Sequence, residues 1–332
     1  MFSMKCSLSI ASVNNNEPVI RAIKPSAVSV KKSVTDIVDT AEITLPLNPY
    51  LQQDNTDGTL LQQRNIVFNT GDKVRITMGY DDDTTERFAG FIARIDKTVP
   101  MRIYCEGYAF LLRDVVFNRS YTSVTLKQLL ADLVSGTEIR ISPYTADVTI
   151  PNVFFKNTPA LKVLEWVQKE LLCRVWFDDS ELYAGTSLFT LPKPTTQFRL
   201  GYNTIKDDAL QRIEQTNRVQ ITIVEKQKTG STKKVKDATK KYDATKEIRI
   251  RPGMPDFVKN QIATELQKVA NHQGFSGKIT TFLVPRVDKA YTVEITDNRY
   301  PERAGRYFAE TVETSFSPSG GRQTIKLSYY GK

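Results

Sequence analysis

The chain has 332 residues, 40% of them hydrophobic and 10% aromatic, with one histidine, three cysteines and a formal net charge of +9. That composition excludes a disordered polymer, and the length allows two or three domains, each with its own core. No stretch approaches the ~18 uninterrupted apolar residues of a membrane span. The opening "MFSMKCSLSIASVNNNEP" lacks the basic start and apolar run of a signal peptide, so no stable membrane insertion is expected.

Residues 1–115 read as a β-domain. "CSLSIAS", "AVSVKKSV", "TAEITLPL", "DKVRITMGY", "RFAGFIARIDKTV" and "RIYCEGYAFLL" alternate or are rich in β-branched residues. Between them lies "NPYLQQDNTDGTLLQQRN", a polar connection too long for a plain hairpin. Asp81, Asp82 and Asp83 fall between two strand-like runs, where aspartate favours a turn through local hydrogen bonds. Cys6, Cys105 and Cys173 each sit within apolar runs and read as buried free thiols of a reducing cytosol.

Residues 116–200 read as a small α+β domain. Thr125 caps a helix with Gln128 three positions on, as in a capping box; Leu126, Leu129, Leu130 and Leu133 form its apolar stripe and Gly136 ends it. A second helix is predicted to open at Thr158 with Pro159 at its first position, burying Leu161, Leu164, Val167 and Leu171. It runs into the short strands "CRVWF" and "ELYAG", with Asp178, Asp179 and Glu181 at the turn between them.

Residues 201–332 return to strands, interrupted by a predicted helix from Asp256 to Asn271 with Val258, Ile262, Leu266 and Val269 on one face. Here lies the run "KQKTGSTKKVKDATKKYDATK", which sets Lys226, Lys228, Lys233, Lys234, Lys236, Lys240, Lys241 and Lys246 against two aspartates. Without apolar periodicity it reads as a long excursion between two neighbouring strands and as the candidate partner-contact segment. Tyr242 is its only ring, so it lacks the aromatic interleaving of a single-strand nucleic-acid binder.

No catalytic, cofactor or metal site is expected. The lone His272 ends a predicted helix and has no partner motif, and one histidine with scattered cysteines cannot build a zinc site of the usual spacing. Phosphate-cradling glycine motifs are absent. Two other classes compete with a structural role: a nucleic-acid binder using the lysine run, and a carbohydrate-active enzyme using paired carboxylates.

"TERFAGFIARIDKT" (85–98) and "PERAGRYFAETVET" (301–314) share Glu-Arg, Ala-Gly and an aromatic with alanine, with one residue of slippage. Each follows a run opening on Asp-Lys, which suggests a duplicated β-domain. The run "GFSGKITTFLVPRVDKAYTVEITDNRYPERAGRYFAETVETSFSPSGGRQTIKLSYYG" resembles the last domain of phage tail hub proteins. That family holds the late control protein D, the T-even baseplate hub and the hub portion of VgrG. "FAGFIARIDKTVPMRIYCEGYAFLLRD" resembles the end of such a hub's first domain, and "ALKVLEWVQKELLCRVWFDDSELYAG" its middle module.

The resemblance implies a mainly β fold: two tube-like antiparallel barrel or sandwich domains flanking the α+β module. It further implies a homotrimer whose six tube-like domains join a sixfold tail tube or distal tail protein to a threefold spike. Such a protein would reside in the virion tail, be assembled in the bacterial host cytoplasm, and be neither enzyme nor cofactor carrier. The tape-measure protein is a further implied partner, and genomic DNA a transient one in the lumen. The chain ends at "YYGK" without a β-helical spike, so the spike is expected to be a separate protein. The hub of a non-viral injection system fits the same residues.

Overall fold

Alternating side chains set the first strands. In β1 (Met4–Ala11) Cys6, Leu8 and Ile10 are buried while their neighbours are not, so one face of the strand enters the core. The same period runs through β3 (Ala27–Ser33), β4 (Thr40–Leu45) and β5 (Lys73–Tyr80), and β2 (Ile20–Ile23) pairs along β1. This computed structural model describes residues 3–12, 20–46, 68–185, 192–213, 218–226, 232–235, 242–250, 256–271 and 274–329. The polar connection after Leu47 and His272 lie outside them.

Strand β6 (Asp83–Asp96) is long because it serves two neighbours in turn. Its first part pairs with β5 as far as Phe91, and from Phe91 onward it pairs with β7 (Met101–Glu106). Gly90 stands at the change of partner, where a Cβ would fall 2.2 Å from the Glu106 carbonyl oxygen. The Asp81–Asp82 turn joins β5 to β6 as expected, with Asp81 at φ +50° and its carboxylate accepting from the Ser3 amide at 2.8 Å.

The chain then forms β8 (Val116–Thr125), α1 (Leu126–Val134), β9 (Arg140–Ile141), β10 (Thr149–Pro159), α2 (Ala160–Glu170), β11 (Arg174–Asp178) and β12 (Glu181–Gly185). Thr125 Oγ1 accepts from the Gln128 amide at 3.2 Å, while the Gln128 side chain turns to Asp132 at 2.7 Å. Only half of the predicted capping box is therefore made. The second helix has Ala160 at its first position, one residue later than predicted, because Thr158 and Pro159 still pair with β8. The Ala160 amide donates to the Val115 carbonyl at 2.9 Å, which replaces a side-chain cap. Val163 takes the buried place expected of Leu161.

The remaining elements are β13 (Thr195–Arg199), β14 (Thr204–Ile213), β15 (Val219–Lys226), β16 (Thr232–Val235), β17 (Ala244–Ile250), α3 (Asp256–Ala270), β18 (Gly274–Thr281), β19 (Thr292–Thr296), β20 (Gly305–Ser317) and β21 (Gly320–Tyr329). On α3, Ile262 is buried and Leu266 half-buried; the side chains of Val258 and Val269 lie outside the description.

The protein is mainly β. One sheet of thirteen strands gathers N-terminal and C-terminal segments, while β8–β10, β11–β12–β9 and β16–β15–β17 form three small sheets. Most pairs are antiparallel, but β13–β19, β12–β9 and β15–β17 are parallel. The chain folds as two compact units. One contains Met1–Phe110, Pro194–Ala209 and Lys278–Leu327, and the other Leu111–Lys193, Leu210–Gly277 and Ser328–Lys332.

Candidate functional site

The large sheet runs β14-β18-β21-β20-β3-β4-β7-β6-β5-β1-β2, with β19 paired to β20 and β13 to β19. One strand order occurs in it twice: β3-β4-β7-β6-β5-β1 and β14-β18-β21-β20-β19-β13. The two related sequence segments belong to the same strand of each order, β6 and β20. One sequence spacing separates Asp72 from Asp288, Lys73 from Lys289, Arg87 from Arg303 and Thr98 from Thr314. The orders differ at their ends, since β1 meets β5 antiparallel and β13 meets β19 parallel.

The two orders join where β20 leaves β19 and pairs with β3, through Thr311–Phe316 against Val28–Ser33. Buried charge lies beneath this seam. Lys32 Nζ donates to Asp288 at 2.9 Å and Lys289 Nζ to Asp39 at 2.5 Å, and the Ser33 and Thr311 hydroxyls meet at 3.0 Å. Lys289 is 1% exposed. Burial raises the Asp288 carboxyl, but Lys32, Arg286 and Lys289 outweigh it and hold its pKa well below the usual carboxylate range. At Asp39 burial outweighs Lys289 and Lys32, so that pKa is raised. Burial likewise lowers Lys289 against the pull of Asp39.

Arg87 adds a second buried contact between the orders, donating to Gln323 Oε1 at 3.2 Å and to the Leu283 carbonyl. Burial, with Arg286 nearby, lowers its pKa to about 10. Sequence reasoning marked the Asp-Lys dipeptides as signs of a repeat. It did not find that the lysine of one of them is buried, because nothing local distinguishes Lys289 from an exposed lysine.

The described part of the lysine run lies in the small sheet β16–β15–β17, beside α3. Lys226 ends β15, Lys233 and Lys234 lie in β16 opposite Glu225 and Val224, and Lys246 is exposed on β17. Lys228, Lys236, Lys240 and Lys241 fall outside the described residues. The run is more than a loop, because Thr232–Val235 pairs with the end of β15. The start of the same edge is met from α3: Gln267 accepts from the Ile221 amide at 2.6 Å and Asn271 from the Val219 amide at 2.8 Å. A strand is the natural way to satisfy the remaining backbone groups of that edge. Nearby, the buried Lys259 amine donates to Glu225 and, at 3.1 Å, to Asp256.

A cavity of about 500 Å³ lies against β14 and the β19–β20 connection. Arg303 is held there by Asp207 and by Asp297, the latter at 2.9 Å. Tyr300 carries the guanidinium groups of Arg299 and Arg303, each 5.6 Å from its ring centre, and Arg199 lies 5.8 Å from the ring of Tyr202. The acidic residues singled out from sequence make a turn at Asp179 (φ +49°) and an ion pair from Asp178 to Lys193. Among the described residues, no group of three or more His, Cys, Asp or Glu side chains is placed to hold a metal ion. Burial pushes the three cysteine thiols up to about 12, which keeps them protonated at neutral pH.

This is a mainly β scaffold built on a repeated strand order, with a buried ionic seam between the repeats and an α+β insert. No family model matches the chain, and no curated protein matches it by sequence. Solved structures do match. A tail protein from Neisseria meningitidis MC58 superposes with a TM-score of 0.67 at 12% identity, over 99% of this chain and 97% of that one. The 43 kDa tail protein of prophage MuSo2 from Shewanella oneidensis gives 0.61 at 12% identity, over 97% of both chains. The E. coli c3393 protein gives 0.57 at 11% identity, over 98% of this chain and 77% of that one. It is described as a type VI secretion system component similar to the T4 tail proteins gp27 and gp5. The chain has the fold of these tail and secretion-system proteins.

Proposed function

We propose that the protein is a structural baseplate hub of a phage tail or related injection machine. In this reading it is a homotrimer that joins a sixfold tail tube or distal tail protein to a threefold spike. DNA or cargo passes through its lumen, and the tape-measure protein ends against it. The observation that carries the reading is the repeated strand order in one sheet, since two like domains per chain let three chains present six equivalent positions to the tube. The tube-like domains are then the strands before Phe110 and those of β13, β14 and β18–β21. The α+β module from β8 to β12 lies outside the ring, with the Leu129 and Leu164 helices away from the lumen. The role is structural and needs no catalytic group or cofactor. Because c3393 is described as a secretion-system component, the hub of a non-viral contractile injection system is the second reading.

Light scattering of the purified protein, alone and mixed with its spike protein, tests the assembly. A trimer is expected, and a stable monomer in both samples overturns the hub reading. The lysine run, in the same reading, holds an acidic surface of a neighbouring tail protein over the ~8 Å reach of screened charge.

A further inference from the structure

The repeated strand order leaves one seam filled and its counterpart open. Within the chain, β20 of the second order lies against β3, the first strand of the first order. The equivalent seam would set β6 of the first order against β14, the first strand of the second. Both edges are available: among the described residues β14 pairs only with β18, and beyond Ile92 β6 pairs only with β7.

Side-chain exposure follows the same division. Lys289 is 1% exposed beneath the filled seam, whereas its counterpart Lys73 is exposed. β3, paired on both sides, buries Val28, Val30, Lys32 and Ser33; β14, paired on one side, buries only Leu210.

We infer that β14 of one copy adds to the open edge of β6 in a second copy, so that Ile95–Thr98 take there the places that Thr311–Thr314 take at the filled seam. The inference rests on the hub reading and names the residues of its copy-to-copy contact. Charge and shape fit a second copy. Asp96 and Lys97 meet a strand carrying Lys206, Asp207 and Asp208, and residues of both signs on both edges permit pairing without net repulsion. Beside β14, Tyr202 is 78% exposed with Arg199 against its ring, and Tyr300 is 45% exposed with Arg299 against its own. Aromatic and arginine side chains of this kind anchor protein interfaces. The contact is head-to-tail, so every copy uses one edge of each type and the assembly closes as a ring or continues as a filament.

Single cysteines placed on separate chains test the pairing. One chain carries Lys97→Cys; the others carry Ile205→Cys, Lys206→Cys or Asp208→Cys. Native thiols contribute little background, since Cys6, Cys105 and Cys173 are buried. After mild oxidation, non-reducing gels should show linked dimers in mixtures of the Lys97 and β14 chains and none in either chain alone. Linking should alternate along β14, with Lys206→Cys and Asp208→Cys behaving alike and Ile205→Cys differing, because strand neighbours point to opposite faces. Light scattering on the same samples separates the failures. An oligomer without mixture-dependent linking overturns this inference and leaves the trimer standing. A monomer under all conditions overturns the hub reading itself.

Discussion

Lys289 and Asp39 show what a single charged residue does in this fold. Both are buried, they meet at 2.5 Å, and Lys32 and Asp288 form a second pair beside them. Removing one partner strands the other in a medium that cannot solvate it. Lys289→Ala is therefore expected to cost about 3–5 kcal/mol of stability in urea unfolding, while Lys289→Met combined with Asp39→Leu should recover most of that loss. The pH dependence has a definite sign at Asp288. Its folded pKa lies below the ordinary ~3.9 of an aspartate. Its contribution is thus complete above that ordinary value and is lost as pH falls through the folded pKa. Asp288→Asn should be less stable than wild type at neutral pH, and the gap should narrow on acidification. Asp39, with its raised pKa, acts in the opposite sense, and because both carboxylates face Lys32 and Lys289 the comparison reads the coupled cluster.

At the scale of single elements, local rules account for where structure begins and ends. The Thr125 hydroxyl satisfies one orphan amide of α1, and Gly136 follows the helix at φ +84°, where a side chain is unfavourable. Thr125→Ala should lower stability by about 1 kcal/mol, measurable as a shifted denaturation midpoint with unchanged slope. Gly90 answers to a neighbouring strand instead. A methyl group there meets the Glu106 backbone, so Gly90→Ala should separate β6 from β7 and greatly reduce soluble folded protein. Normal yield and melting temperature would show that the strands can move apart at little cost. The late start of α2 has the same origin, because Thr158 and Pro159 are committed to β8 before the helix can begin.

At the scale of the whole molecule, the proposed hub gives the repeated strand order and the lysine-rich segment separate parts in assembly. On that proposal the first supplies the frame of the ring and the second a charged surface for a neighbour. Replacing Lys233, Lys234, Lys240 and Lys241 by Glu should leave circular dichroism unchanged and reduce ring or particle assembly. Wild-type assembly and infectivity in that variant would remove the contact role assigned to the segment.

The sequence by itself determined the mainly β character, the turns at Asp81 and Asp179, the apolar stripe of α1 and the relation between the β6 and β20 segments. Each of these rests on alternation, capping or turn chemistry that a few adjacent residues carry. The tertiary structure decided which strands pair. The seam joins Lys32 to Asp288 across 256 positions, and β13 pairs parallel to β19 where the matching β1 pairs antiparallel to β5. It also decided that Thr232–Val235, polar and without periodicity, becomes a strand, because the edge of β15 required hydrogen-bonding partners there. Burial of charge falls in the same class. A lysine goes inside only where a carboxylate from distant sequence meets it, and no local pattern encodes that meeting.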